Sequence, residues 1–184
     1  MVLKRIKLLL SICCFLFVCG CYESQFSLSS SDTSRIDERL IKSWIQQTSQ
    51  KNDDPYRVVI RKFNEHEYVV AFSDMQDKEA QLVRAFTTMI DSAAVINLQG
   101  INSLAPKDRT FLFFKYVITP QGNLRVWMID KESPLLRGRT FAAQAELYAF
   151  IKKNIHNDTL YREAWEFKPA EGIKLEMSCA ETKK

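Results

Sequence analysis

The apolar positions between residues 35 and 175 follow two different periods. Residues 56–63 and 68–72 are rich in Val, Ile and aromatics and flank Asn64-Glu65-His66, which predicts a β-hairpin. Residues 111–118 and 124–129 predict a second hairpin, joined by Thr119-Pro120-Gln121-Gly122-Asn123. Proline suits the first turn position there, and glycine accepts positive φ. Strand 111–118 is apolar on both faces. Phe111, Phe113 and Val117 lie on one side, and Leu112, Phe114, Tyr116 and Ile118 on the other. Such a strand is expected to be covered on both sides. Lys115 and Arg125 interrupt the pattern and must snorkel or pair.

The helical period predicts three helices. Ile36, Leu40, Ile41, Trp44 and Ile45 follow the capping-box variant Ser34-Arg35-Ile36-Asp37, which predicts a helix over 35–49 ended by Asn52-Asp53-Asp54-Pro55. Residues 73–77 offer caps for a second helix, with Leu82, Val83, Phe86, Met89 and Ile90 as its buried stripe. Thr140 offers a cap for a third over 141–155. Its face is Phe141, Ala145, Tyr148, Ile151 and Ile155, widened by Leu147 and Phe150. Residues 93–98 and 160–167 read as further strands. The expected fold is α+β: a single domain, residues 35–175, with an antiparallel sheet packed against about three helices.

The N-terminus reads as a targeting segment. Lys4, Arg5 and Lys7 precede an apolar run over 8–18 that is too short to span a bilayer. Val18-Cys19-Gly20-Cys21 then resembles the lipobox of bacterial lipoproteins, with Cys19 less usual at its place than Ala or Ser. The resemblance implies cleavage after Gly20 and lipidation of Cys21, so that residues 1–20 are the signal peptide. Tyr22 rather than Asp after the cysteine implies the outer membrane, with the domain facing the periplasm. An ordinary signal peptide, or palmitoylation at Cys13 and Cys14, stands as the alternative. Residues 21–34 carry six serines and are expected to form a flexible tether from the lipidated cysteine. Residues 176–184 are expected to be a polar tail.

Charge and cysteine use change once residues 1–20 are set aside. The full chain of 184 residues has 26 Lys+Arg against 22 Asp+Glu, and three of the basic residues leave with the signal and no acidic ones, so the remainder carries a net +1. That balance excludes nucleic acid as an expected partner. Cys13, Cys14 and Cys19 also leave, so Cys21 and Cys179 remain. With Cys21 lipidated, no internal disulfide is expected and Cys179 reads as an exposed thiol. The 46% apolar content, with twelve Phe, suffices for a packed core.

Motifs for chemistry are sparse. Gly100, Gly122, Gly138 and Gly172 are too far apart for a phosphate loop, and no nucleophile elbow is present. His66 and His156 are the only histidines, and each reads as structural; no metal and no cofactor is expected. Asp130 and Glu146 are the least arbitrary carboxylates for hydrolytic chemistry. The segment 133–139 joins exposed-looking leucines to arginines around Gly138. Leu135, Leu136, Arg137 and Arg139 are therefore the candidate partner-binding residues, with core-plugging leucines as the alternative. The expected function is a lipid-anchored envelope protein, not an enzyme, whose domain binds another envelope protein. It would be an accessory subunit of an envelope or secretion machine, or an immunity or inhibitor protein. A cell-wall or lipid-acting enzyme and a carrier of an apolar ligand are the alternatives.

Overall fold

The computed structural model describes residues 21–48, 55–73, 80–101 and 109–173. Eight strands form one closed antiparallel barrel in sequence order: β1 Ser43–Gln46, β2 Arg57–Lys62, β3 Tyr68–Ser73, β4 Gln81–Ile90, β5 Ala93–Gly100, β6 Phe111–Ile118, β7 Leu124–Met128 and β8 Trp165–Ala170. Every neighbour is antiparallel, and β1 closes the ring against β8 with Ser43 opposite Ala170 and Gln46 opposite Phe167. Closure leaves no edge strand exposed. One α-helix, α1 Gln144–Asn154, lies in the connection between β7 and β8, beside short 3-10 turns at Ser31–Thr33, Glu38–Leu40 and Asp158–Leu160.

Strand alternation sorts the side chains. Trp44, Ile60, Tyr68, Val70, Val83, Ala85, Ile96, Tyr116, Leu124, Val126 and Phe167 point inwards and fill the barrel. Eight strands enclose a space that side chains of this size occupy. Arg57, Arg61, Arg84, Arg125, Glu166 and Lys168 alternate with them on the outside. Apolar inside and charged outside is the reverse of a membrane-spanning barrel. Among the described residues, no helix is long and apolar enough to cross a membrane.

A second core lies outside the barrel. Leu147 and Ile151 of α1, with Leu136, Ile155 and Leu160, pack on Ile90, Val95, Phe113 and Ile129. The strand predicted to be covered on both faces is β6, and it is covered by these two cores. Lys115 on its outer face lies 4.0 Å from the centre of the Tyr161 ring and 3.5 Å from the Ile155 carbonyl, while Arg125 pairs with Glu166 across β7 and β8.

The two hairpins, strand 93–98 and the helix over 141–155 have counterparts in β2–β3, β6–β7, β5 and α1. The α+β architecture with about three helices is corrected to a closed barrel with, among the described residues, a single α-helix. In place of the helix expected over 35–49, residues 35–48 form a 3-10 turn followed by β1, and Trp44 reproduces an i to i−4 contact by donating Nε1–H to the Leu40 carbonyl at 3.0 Å. The stripe 82–90 is β4. Val83 faces the inner core while Phe86 and Ile90 face the outer one, so burial on both faces imitates a helical spacing. The caps expected at 74–77 and the tail with Cys179 lie outside the described residues. Thr140 does not cap α1; the N-cap is Ala143, and Glu146 accepts the Ala142 N–H at 2.9 Å. The last strand starts later than expected, at Trp165.

The expected flexible tether is also corrected. Residues 21–34 lie against the barrel as a strap. Tyr22 and Phe26 pack in the outer core, Leu28 is 2% exposed, and the Leu28 N–H donates to Asn97 Oδ1 at 2.8 Å. Serines in the strap act as hydrogen-bonding groups: Ser29 Oγ meets Thr88 Oγ1 at 2.6 Å, and Ser34 Oγ accepts the Thr87 N–H at 2.9 Å. Leu28→Ala is therefore expected to cost about 2–5 kcal/mol, the range for truncating a buried leucine and comparable to Leu147→Ala. Urea denaturation of both variants checks this; a free tether would leave stability unchanged at Leu28.

Candidate functional site

The barrel has two unlike ends. The turns joining β2–β3, β4–β5 and β6–β7 gather at one, here the hairpin end. The strap crosses the outside of the barrel and turns into this end, where Leu40 becomes fully buried among the inner core residues. An open cleft of about 960 Å³ lies between residues 29–39 and the ends of β4, β5 and β6. Ile36, Asp37, Thr87, Met89, Ala94 and Tyr116 line it.

Asp37 organises this end. Its backbone N–H donates to the Tyr68 hydroxyl at 2.5 Å, and its Oδ2 accepts from the Tyr116 hydroxyl at 3.1 Å. Arg39 grips the same carboxylate from Nε and Nη2 at 2.8 and 2.7 Å. The Arg39 guanidinium holds the Asp37 carboxyl below the usual carboxylate range. Burial pushes the Tyr116 phenol well up, and the nearby Asp37 charge adds to that. Thr87 Oγ1 is buried beside these groups without a hydrogen bond of normal geometry. Close by, Glu67 is 4% exposed. Burial alone would raise its carboxyl, yet donors from Arg84, Ser31 and Asn64 outweigh burial and hold it below its ordinary value.

Cys21 marks the opposite end. It bridges Asp130, just beyond β7, while Ser24 bridges Phe111 at the start of β6. Its Sγ lies 3.0 Å from Met128 Sδ, and the side chain is half-buried.

The segment 133–139 is a compact turn. Leu136 is 2% exposed and belongs to the outer core, and Leu135 packs on the same core. Leu136 as a partner-binding residue is therefore corrected: the alternative reading, leucines that plug the core, describes it. Arg137 is exposed and lies 3.9 Å from Glu132. Arg139 donates to the Leu135 carbonyl at 2.8 Å and covers the Phe150 ring. Asp130 pairs with Arg162, and His66 Nδ1 lies 2.9 Å from the Ser34 carbonyl, tying the β2–β3 turn to the strap. Asp130, Glu146 and His66 are thus spread over different parts of the molecule. Among the described residues no group of three His, Cys, Asp or Glu side chains could hold a metal ion.

Asp37, Tyr68 and Tyr116 were missed as a group because each fills an ordinary place in a local pattern: Asp37 in a capping box, the tyrosines in alternating strands. Only the register that places Tyr68 and Tyr116 inside one barrel brings them together. Compared with known family models, curated proteins and solved structures, the chain shows no match.

Asp37→Asn tests the network. The folded carboxyl titrates below its unfolded value of about 3.9, so its contribution is present above that pH and lost as the pH falls through the folded value. The variant is expected to be less stable by about 1–2 kcal/mol near neutral pH. It should also lose less further stability than the parent on acidification. Urea melts at about pH 7 and about pH 3 measure both effects. An identical acid response in the two proteins would show that Asp37 does not sense folding.

Proposed function

We propose that this chain is a lipid-anchored cell-envelope protein, held by Cys21, whose barrel is a non-catalytic module that binds another protein. One observation carries the binding part. Four large apolar side chains are strongly exposed among the described residues, and three of them, Phe63 at 66%, Met89 at 59% and Val117 at 44%, sit at the hairpin end. They rim the same end as the cleft, whose wall adds Ile36 and Ile118, with Arg35, Glu38 and Arg39 beside them. Apolar anchors with a charged surround are the anatomy of a protein interface. The packed interior, with Trp44 and Tyr68 almost fully buried, supports this reading over a carrier of an apolar ligand inside the barrel.

The lipobox supplies the other part. Cys21 lies at the opposite end from the exposed rim, so an anchor there leaves the rim free for an envelope partner. An accessory subunit of an envelope machine and an immunity protein share this requirement.

Crosslinking in intact cells, followed by membrane extraction and mass spectrometry, tests the proposal. The parent is expected to capture one envelope protein, and Cys21→Ala to lose it. Phe63→Glu with Val117→Glu should weaken capture roughly tenfold or more, as for anchors at the centre of an interface, with thermal stability kept. Undiminished capture by the double variant would remove the hairpin end from the reading.

A further inference from the structure

We infer that, once lipidated at Cys21, the barrel sits on the bilayer as an oriented body, its Cys21 end on the lipid headgroups and its hairpin end facing away. This rests on the reading that Cys21 carries the anchor; what it adds is the orientation and the surface that meets the membrane.

The chain has no slack after Cys21. Cys21 itself bridges Asp130. The next residue, Tyr22, donates its N–H to the Ile129 carbonyl at 3.2 Å. Ser24 and Phe111 then exchange both backbone bonds, at 3.1 and 2.7 Å. The Tyr22 ring stacks on Phe113 at 6.2 Å and meets Phe141 edge-on at 6.3 Å. A free run of thirteen residues, 22–34, would let the domain wander roughly 20 Å and turn at will. Here the chain is fastened to the sheet from the first residue after the anchor. Lipid chains attached to Cys21 enter the bilayer where β6 begins and β7 ends, so that end of the barrel is carried to the surface.

The charges around the anchor suit this placement. Arg162 pairs with Asp130 at 3.3 Å, Arg137 lies 3.9 Å from Glu132, and Glu23 accepts from the Thr110 hydroxyl at 2.9 Å. Among the described residues, the cations Arg162 and Lys131 and the anions Asp130 and Glu23 act together on Cys21, so no excess of negative charge gathers at the anchor, and the covalent anchor sets the orientation. Ile101, 40% exposed just past β5, is the strongly exposed large apolar side chain at this end among the described residues. β6 has eight residues, which at about 3.3 Å each and a barrel tilt puts the hairpin end roughly 20 Å above the headgroups.

The test uses the processed full-length protein in a Cys179→Ser background, with a fluorophore on Phe63→Cys or on Ile101→Cys. Each is placed in phosphatidylcholine vesicles containing a headgroup-nitroxide lipid, and the intact mass of the same sample reports the lipid on Cys21. Quenching several-fold stronger at position 101 than at 63 is expected. Equal quenching with the lipid mass present would overturn the orientation while leaving the anchor standing. A missing lipid mass would overturn the anchor reading, and the orientation with it. A further pair of labelled variants carries a Gly-Ser run of about 15 residues inserted between Cys21 and Tyr22, restoring roughly 20 Å of reach. The insertion should abolish the difference between the two positions. A difference that survived it would show that slack is not what sets the orientation.

Discussion

The strap from Cys21 to Leu40 is the constraint on which the rest of this molecule depends. The β3–β4 register ends at Tyr68 opposite Ala85, so the Thr87 N–H, two residues further along β4, lies beyond that ladder. Buried backbone donors must be satisfied. Ser34 Oγ satisfies this one from the strap, and Asn97 in turn holds the strap through the Leu28 N–H. A few residues later the same segment delivers Asp37 to Tyr68 and Tyr116 and buries Leu40 inside the barrel. One stretch of chain thus covers the outer sheet, completes the hydrogen bonding of β4 and fills one end of the barrel.

A small barrel usually keeps one face of its sheet wet. This one buries both faces along β4 to β7, because the β7–β8 connection folds α1 over the outside and the strap runs beside it. Asn97, fully buried on the outer face, is the polar group that this arrangement must satisfy. Its side chain gives to Thr88 Oγ1 at 2.8 Å and to the Phe86 carbonyl at 3.3 Å, and accepts from Leu28, so each polar atom is used. Lys115 solves the same problem differently. Its ammonium lies over the aromatic rings of Trp127 and Tyr161 and reaches the Ile155 carbonyl at the end of the helical segment, where partial negative charge collects.

These two-sided faces decide what was legible in the sequence. The hairpin β6–β7 declared itself, because Pro120 and Gly122 mark the turn and Gly122 takes φ of 80°. Helix α1 did so because only one of its faces is buried. β4 did not: with Phe86 and Ile90 buried outwards and Val83 and Ala85 inwards, the period of two that identifies a strand disappears. Residues 36–45 failed for a local reason, since a tight turn followed by a short strand repeats the spacing of a helix over ten residues. The serines of 22–34 suggested solvation when read alone. The partners of Ser29, Ser31 and Ser34, namely Thr88, Arg84 and the backbone of Thr87, lie more than fifty residues away and carry no local trace. Closure of the sheet was out of reach for the same reason, because the β1–β8 pairing joins the two ends of the domain.

The strap also links the two ends of the barrel mechanically. Cys21 and Asp37, which fastens the hairpin end, belong to one hydrogen-bonded segment, with Leu28 buried and Tyr22 and Phe26 half-buried between them. Peeling that segment away exposes those side chains, at roughly 1.5–3 kcal/mol for each one fully uncovered, before the Asp37 contacts are reached. Force applied at Cys21 therefore meets the outer core first and reaches the tyrosine pair only after it has been stripped. The order of contacts along the chain makes the hairpin end insensitive to small movements at Cys21. A surface presented there keeps both its shape and its orientation relative to Cys21, which a flexible tether would not hold.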